Sequence, residues 1–252
     1  MHLRIYQAYH DPSTVDRLES EFIPFDNTND NKVQLEYAVW LKLFERNQTG
    51  HAHWGSLSWR WREKTGLEGK LFANWIRANP GHDVYFFDPG LILLDFDNLW
   101  IQGEQWHPGI IDYANRLLPK LGYNFDIRKL EYTGDDFMTA NYFIGNSNFW
   151  SRYLGFLEKV IDITKNDPDL NRFMFETGTK YRGRIQINFI FIVERLFPLF
   201  CMFNPDIKVK KYPYESFCYQ QLLGTDYLPA LESYYRRQKR IDEILQNRRE
   251  LL

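Results

Sequence analysis

Apolar positions along this chain come in two patterns. Residues 3–8, LRIYQA, read as a first strand that delivers Tyr9, His10 and Asp11 at its end. Val84-Tyr85-Phe86-Phe87, ended by Asp88-Pro89-Gly90, and Leu91-Ile92-Leu93-Leu94, ended by Asp95-Phe96-Asp97, are unbroken apolar runs bounded by turn residues. That is the pattern of buried strands. Residues 51–59, 141–145 and 207–212 read as further short strands, the last carrying Lys208, Lys210 and Lys211. Helical spacing fits residues 33–46 (Leu35, Val39, Leu43), 68–79 up to Pro80-Gly81, 110–121 after His107-Pro108-Gly109, and 148–164. Gly122 caps the third of these. Residues 183–203 read as a buried helix holding Glu194-Arg195 as a structural ion pair or a contact to a neighbouring loop, with Pro198 ending or kinking it. Residues 228–252 read as one long helix with a basic end. Residues 24–32 and 165–171 are polar loops, and 123–137 has weak strand character around the Asp135-Asp136 pair. Helices alternating with short strands predict an α/β layered domain.

Composition narrows the class. The 252 residues are 44% hydrophobic and 25% charged, which suits one large globular domain with or without a helical appendage. Aromatics reach 17%, enough for an aromatic-rich core or for a pocket that stacks on a flat base or sugar ring. A formal net charge of -2 gives no global field for nucleic acid. Cys201 and Cys218 make neither a metal spacing nor a disulfide framework, which fits a reducing compartment. The N-terminus lacks the apolar core of a signal peptide, and no run approaches the roughly 20 apolar residues of a membrane span. The expected location is the cytoplasm.

Candidate chemistry gathers where strands end. Ligands of open α/β sheets sit at the carboxyl ends of the strands. Asp95, Asp97, Gln102, Glu104 and His107 therefore fall where a polar ligand or metal would be held, and in a parallel sheet Tyr9 and His10 share their rim. His51 and His53 alternate on one strand face, but zinc needs three or four ligands and no others lie near in sequence. The terminal basic residues, Arg236, Arg237, Lys239, Arg240, Arg248 and Arg249, make either a solvated helix face or a peripheral foot on the anionic inner face of a membrane.

Three blocks carry a family resemblance. The succession PFDNTND, QLEYAVWLKLFERN and HWGSLSWRWREKTG is similar to the bacterial capsular, exopolysaccharide and O-antigen glycosyltransferases of the GT-A-like type. So are NYFIGNSNFWSRYLGFLEKV and FIVERLFPLF; together the blocks span residues 24–200, and their order is more telling than any one of them. Gly55 to Trp61 departs from the family's pattern in lacking its His-Tyr.

The resemblance implies a GT-A-like (Rossmann-like) mixed sheet flanked by helices over residues 1–227, with a C-terminal helical extension over 228–252. It implies transfer of a sugar from a nucleotide-sugar donor, UDP-type favoured, to a surface polysaccharide or lipid-linked glycan acceptor. Asp95-Phe96-Asp97 has the form of the family's divalent-metal motif, for Mn²⁺ or Mg²⁺ against the donor diphosphate; Asp83 and Asp88 stand as alternatives. Tyr9, His10, Asp26, Asn27, Gln102, His107 and Asn141 are the implied donor-binding residues. Glu104, Asp135 and Asp136 are the candidate bases for the acceptor hydroxyl. Two rivals remain open: a catalytically inactive carbohydrate-binding or scaffold protein that keeps the fold, and a nucleotide-sugar hydrolase.

Overall fold

The computed structural model describes residues 2–28, 35–47, 53–89, 95–181, 184–213 and 227–252. They form two compact units that alternate along the chain. The first comprises residues 1–89, 140–154 and 204–227, the second residues 90–139, 155–203 and 228–252.

The first unit is built on a six-stranded mixed sheet of order β2-β1-β3-β5-β4-β8. Its strands are β1 (Leu3–Tyr9), β2 (Ile23–Asp26), β3 (His53–Ser58), β4 (Val84–Phe86), β5 (Phe143–Gly145) and β8 (Val209–Lys211). β1 runs parallel to β2 and β3, β5 runs antiparallel to β3 and β4, and β4 runs parallel to β8. Every strand but β5 therefore points the same way. The apolar run predicted as a strand is fully buried from Val84 to Phe87. β2 lies in what the sequence presents as a polar loop. It is an edge strand with Ile23 exposed and Pro24 inside it, and only an edge tolerates a proline without an amide to pair. Residues 91–94 of the second predicted strand lie outside the described residues.

Helices α1 (Leu35–Asn47), α2 (Trp61–Thr65) and α3 (Gly69–Ala78) complete this unit with the first turns of α6 (Ser147–Lys165). The aromatic surplus goes mainly into the core: Trp40, Trp54, Trp61 and Trp150 are fully buried. Trp54 and Trp150 stack at 4.2 Å with planes 10° apart, and the Trp150 indole donates to the Trp54 carbonyl at 2.7 Å. Gly55 is required there, since a Cβ would sit 2.2 Å from the Phe143 carbonyl oxygen of the neighbouring strand.

The second unit is mainly helical: α4 (Leu99–Trp106), α5 (Ile110–Leu121), the remainder of α6, α7 (Pro168–Asn171), α8 (Asn188–Phe203), α9 (Tyr227–Lys239) and α10 (Ile241–Leu251). A hairpin of β6 (Gly178–Tyr181) and β7 (Arg184–Ile187) precedes α8. The apolar stretch read as one helix thus begins as a strand. Pro198 neither ends nor shortens α8, which continues to Phe203; Leu196, Phe197, Leu199 and Phe200 are all buried, and that packing outweighs one lost backbone bond. The polar stretch 165–171 is a short helix, not a loop, because Asp167 accepts from the amides of Asp169 and Leu170 and Pro168 fits the first turn. Residues 123–137 hold two 3-10 turns, each opened by a capping side chain, in place of strand. The terminal helix is two helices, α9 and α10, parted at Arg240.

Candidate functional site

The carboxyl ends of β1, β2, β3, β4 and β8, with the amino end of β5, form one rim of the first unit's sheet. Tyr9 pairs with Asp26 and Ala8 with Ser58, so His10, Asn27 and Trp59 follow on adjacent strands. Carrying the antiparallel pairs Trp54↔Gly145 and Phe86↔Phe143 outward sets Asn141 between Ser58 and Asp88. Five implied donor-binding residues, Tyr9, His10, Asp26, Asn27 and Asn141, stand on this rim. Three strand spacings of about 4.8 Å separate the β2 end from the β5 start, or roughly 14 Å.

Each of these side chains has a definite state. The Thr28 amide (2.9 Å) and hydroxyl (2.8 Å) donate to Asp26 and hold its carboxyl below the usual range. The Tyr9 phenol is pushed up, first by desolvation and then by Asp26. Asn27 Nδ2 lies 3.2 Å from His10 Nδ1. Asn27 and Asn141 are 3% and 5% exposed, and the side-chain oxygen of each has no hydrogen-bond partner among the described residues. A buried carbonyl oxygen without a donor costs about 1–3 kcal/mol; Asn188 Oδ1 in the second unit is in the same state, and what sets the other two apart is that they share one rim. Asp88, fully buried just beyond β4, lies 3.5 Å from the Lys211 ammonium at the end of β8. Asp83, the other alternative metal ligand, sits before β4 at the opposite end of the strand. It accepts from Asn146 Nδ2 (2.8 Å) and from the Lys208 amide (2.9 Å), tying together the starts of β4, β8 and α6.

The remaining sequence candidates belong to the second unit, where most have partners of their own. Glu104 accepts the amides of Gly109 and Ile111, both at 2.9 Å, and so caps α5. Gln102 accepts from the buried Arg195 at 2.7 Å; the same guanidinium donates to the carbonyls of Leu99 and Phe191, each at 2.8 Å. Arg195 is therefore held mainly by neutral acceptors, the contact to a neighbouring segment that is the alternative to an ion pair; burial lowers its pKa to about 10 against the opposing charge of Glu194. Gly103 makes room for it: a Cβ there would lie 2.4 Å from Arg195 Nε. His107 stacks on Phe191 at 3.7 Å with Nδ1 2.9 Å from the Thr179 hydroxyl. Burial, then Arg195, lowers its pKa to about 4. Asp136 accepts from the Thr133 amide and hydroxyl, both at 2.7 Å, and from Arg248. Asp135 is exposed, with the Tyr234 hydroxyl 3.3 Å away.

Asp95 and Asp97 bear on metal binding. Asp95 accepts from the Ser233 hydroxyl, and Asp97 is 69% exposed with Arg237 at 3.9 Å. Arg237 is fixed there by the carbonyls of Phe96 and Tyr132 and by Glu131. Among the described residues no three His, Cys, Asp or Glu side chains converge on a metal position. An anchored guanidinium beside one carboxylate and a hydroxyl on the other do not fit a preformed divalent centre, which wants carboxylate oxygens free for the ion. At the rim, Asp88 already faces an ammonium. His51 lies outside the described residues, and His53 Nε2 is 2.9 Å from the His82 carbonyl oxygen.

Of the basic tail, Arg237 and Arg240 meet Glu131, and Arg248 meets Asp136, so much of its charge is spent within the second unit. Among the described residues no helix is long and apolar enough to cross a membrane. Sequence reasoning missed the Asp88–Lys211 pairing, which joins residues far apart in the chain. The only signal was Asp88 in its turn and the lysine-rich late strand.

No protein-family model matches the chain, and no curated protein matches it. Among solved structures it is similar to the apo structure of the bifunctional glycosyltransferase WbbM, with 15% identity and a TM-score of 0.47 over 84% of this chain. The matched part is 44% of that protein's chain, so this chain spans less than half its length.

Proposed function

We propose that this protein is a glycosyltransferase that moves a sugar from a nucleotide-sugar donor to a glycan or lipid-linked acceptor. One observation carries the reading: two buried amide oxygens without donors, Asn27 and Asn141, on the rim where α/β sheets hold ligands. A lone acceptor is satisfied by a ligand hydroxyl or imide N–H. Sugars and ribose supply the hydroxyls, and a uracil base adds an imide N–H where adenine offers its exocyclic amino group. His10 and Asp26 add polar groups beside Asn27, and the sequence blocks resembling capsular transferases give the reaction its class.

In the transfer, the bond between the sugar carbon and the diphosphate oxygen breaks and the acceptor oxygen takes its place. The acceptor proton passes to a base. Of the three carboxylates expected in that role, Glu104 and Asp136 spend their oxygens on caps and on Arg248, while Asp135 is exposed with the Tyr234 hydroxyl beside it. Because the residues present do not fit a divalent centre, no step is routed through a metal.

The test is a thermal-shift and calorimetric screen of nucleoside diphosphates and their sugars, since a ligand of the folded state raises its melting temperature. UDP or a UDP-sugar is expected to bind. Asn141→Ala should weaken it about tenfold, from ~1.4 kcal/mol of lost hydrogen bonding, with the melting temperature of the free protein nearly unchanged. A folded protein indifferent to every nucleotide tested would favour the carbohydrate-binding scaffold.

A further inference from the structure

A second concavity opens on the first unit beside the donor rim. The 3-10 turn Pro12–Arg17 follows β1, and Trp59-Arg60 follows β3; between them lies a cleft of about 660 Å³. That volume is in the range of small-ligand pockets. The indole of Trp59 is half-buried on its wall. Among the described residues no other ring packs on it, whereas Trp40, Trp54 and Trp61 are engulfed in the core and Trp75 lies against Phe72, Tyr85 and Tyr212. Two guanidiniums lie over its ring, Arg17 at 5.5 Å and Arg60 at 6.0 Å from the ring centre.

The wall is held in place before any ligand arrives. Glu19 is buried and takes Nε and Nη2 of Arg62, both at 2.8 Å, and the Gly69 amide at 2.9 Å. Its own amide donates to Gln7 Oε1 at 2.7 Å, and Gln7 Nε2 donates to the Ser58 carbonyl just before Trp59. Arg60 is tied to Glu63. A fixed frame spares a ligand the cost of ordering these side chains.

Charge decides what the cleft takes. Three acids, Asp16, Glu19 and Glu63, face three arginines, Arg17, Arg60 and Arg62. Two of these arginines are already neutralised by Glu19 and Glu63, and exposed Asp16 offsets exposed Arg17. The cleft thus favours no polyanion such as a nucleoside diphosphate. An indole covered by no other ring among the described residues, with the exposed Arg17 guanidinium over it and the Asp16 carboxylate and Ser20 hydroxyl in the same cleft, is matched to a ring that is apolar on one face and carries hydroxyls around its edge, which Arg17 can bond. We propose that this cleft is a saccharide subsite, seating an uncharged pyranose of the acceptor glycan on Trp59. The proposal rests on the transferase reading only for the word acceptor.

The experiment uses the full chain with ¹⁵N-labelled tryptophan, the Trp59 indole signal being assigned with Trp59→Phe. Probes are the methyl glycosides and the di- and trisaccharides of glucose, galactose, mannose, rhamnose and their N-acetylamino relatives, with glucuronides and UDP titrated separately. An uncharged saccharide is expected to shift the Trp59 signal saturably while UDP leaves it in place. Trp59→Ala should weaken that saccharide at least tenfold and leave UDP affinity within twofold; Trp59→Phe, which keeps a ring, should retain part of it. The proposal is overturned if UDP moves the Trp59 signal, if only glucuronides do, if no saccharide does, or if Trp59→Ala binds saccharide like the parent. A protein that binds no nucleotide yet shifts Trp59 with saccharide would sink the transferase reading and leave the cleft standing.

Discussion

Removing the Glu19 carboxylate tests how the cleft wall is held. Its side chain is 7% exposed, whereas that of its partner Arg62 is 54% exposed. The two halves of the interaction therefore differ in value. The Gly69 amide loses a buried, charge-assisted bond in Glu19→Ala and is left without a partner, at about 1–3 kcal/mol. Arg62 regains water, so its share is that of a surface pair, at most ~1 kcal/mol. The total is about 3 kcal/mol, or roughly 6–12 °C of melting temperature for a chain of this size. Glu19→Gln keeps one acceptor oxygen and should lose about half as much, and Arg62→Ala only the surface share. Exchange of the Gly69 amide reads the first half directly and should quicken in Glu19→Ala but not in Arg62→Ala. Burial pushes the Glu19 pKa up, but Arg62 and the Gly69 amide outweigh it and the net shift is downward from 4.5. The stabilisation is thus complete above that value and lost as pH falls through the lower, folded pKa. Equal losses for Glu19→Ala and Arg62→Ala would refute the division.

Three more outcomes are expected. His107 has a folded pKa of about 4 against 6.5 in the unfolded chain, so its contribution is present above pH 6.5 and lost as pH falls toward 4, by at most ~3 kcal/mol. Its ring resonances should stay those of neutral imidazole at pH 5.5; a midpoint near 6.5 would contradict this. Arg195→Met strands the carbonyls of Leu99 and Phe191 and the Gln102 oxygen, and should cost at least ~3 kcal/mol in urea denaturation; a loss under ~1 kcal/mol would show that water replaces the guanidinium. Nucleotide affinity should be the same in EDTA and in Mn²⁺, and the same in the Asp95→Asn, Asp97→Asn double variant. A Mn²⁺-dependent gain abolished by that variant would restore the metal site.

Legibility from sequence followed the range of the interactions. β4 was readable because a strand buried on both faces is apolar at every position. α3 and α5 were readable because one face repeats at helical spacing, with Gly122 capping α5 and Pro80-Gly81 following the end of α3. α4 was not. Gly103 interrupts it and its polar residues resemble a binding loop, yet Gly103 is there to admit Arg195 from residues 92 positions onward. Tyr9, His10 and Asn141 could be placed at strand ends from the sequence, where ligands sit, whereas Asp26 and Asn27 were named from the resemblance alone, because β2 reads as part of a polar loop. Gln102, Glu104 and His107 show the limit of that rule. A polar side chain beside a turn looks the same in sequence whether it caps a helix, holds a buried arginine or awaits a ligand. The Trp59 cleft depends on the Glu19–Arg62 and Gln7–Ser58 contacts, 43 and 51 positions apart, and one sequence carries no record of such pairings.

The alternation of the two units along the chain bears on how the protein is made and cut. The path changes unit at 89/90, 139/140, 154/155, 203/204 and 227/228. No contiguous fragment contains either unit free of the other: residues 1–139 supply an incomplete sheet and an incomplete helical unit, and residues 90–252 carry the whole helical unit together with sheet segments that lack their partners. A ribosome releasing the chain from its N-terminus cannot finish the six-stranded sheet until β8, beyond residue 208, has emerged. Strands β1 to β4 must wait with their edges unpaired, a period in which association with other chains competes with folding. Expression at low temperature or with chaperones should raise the soluble yield more for this chain than for one whose units are consecutive. By the same logic a single protease cut at a crossing would leave both pieces bound, and the protein would run intact until denatured.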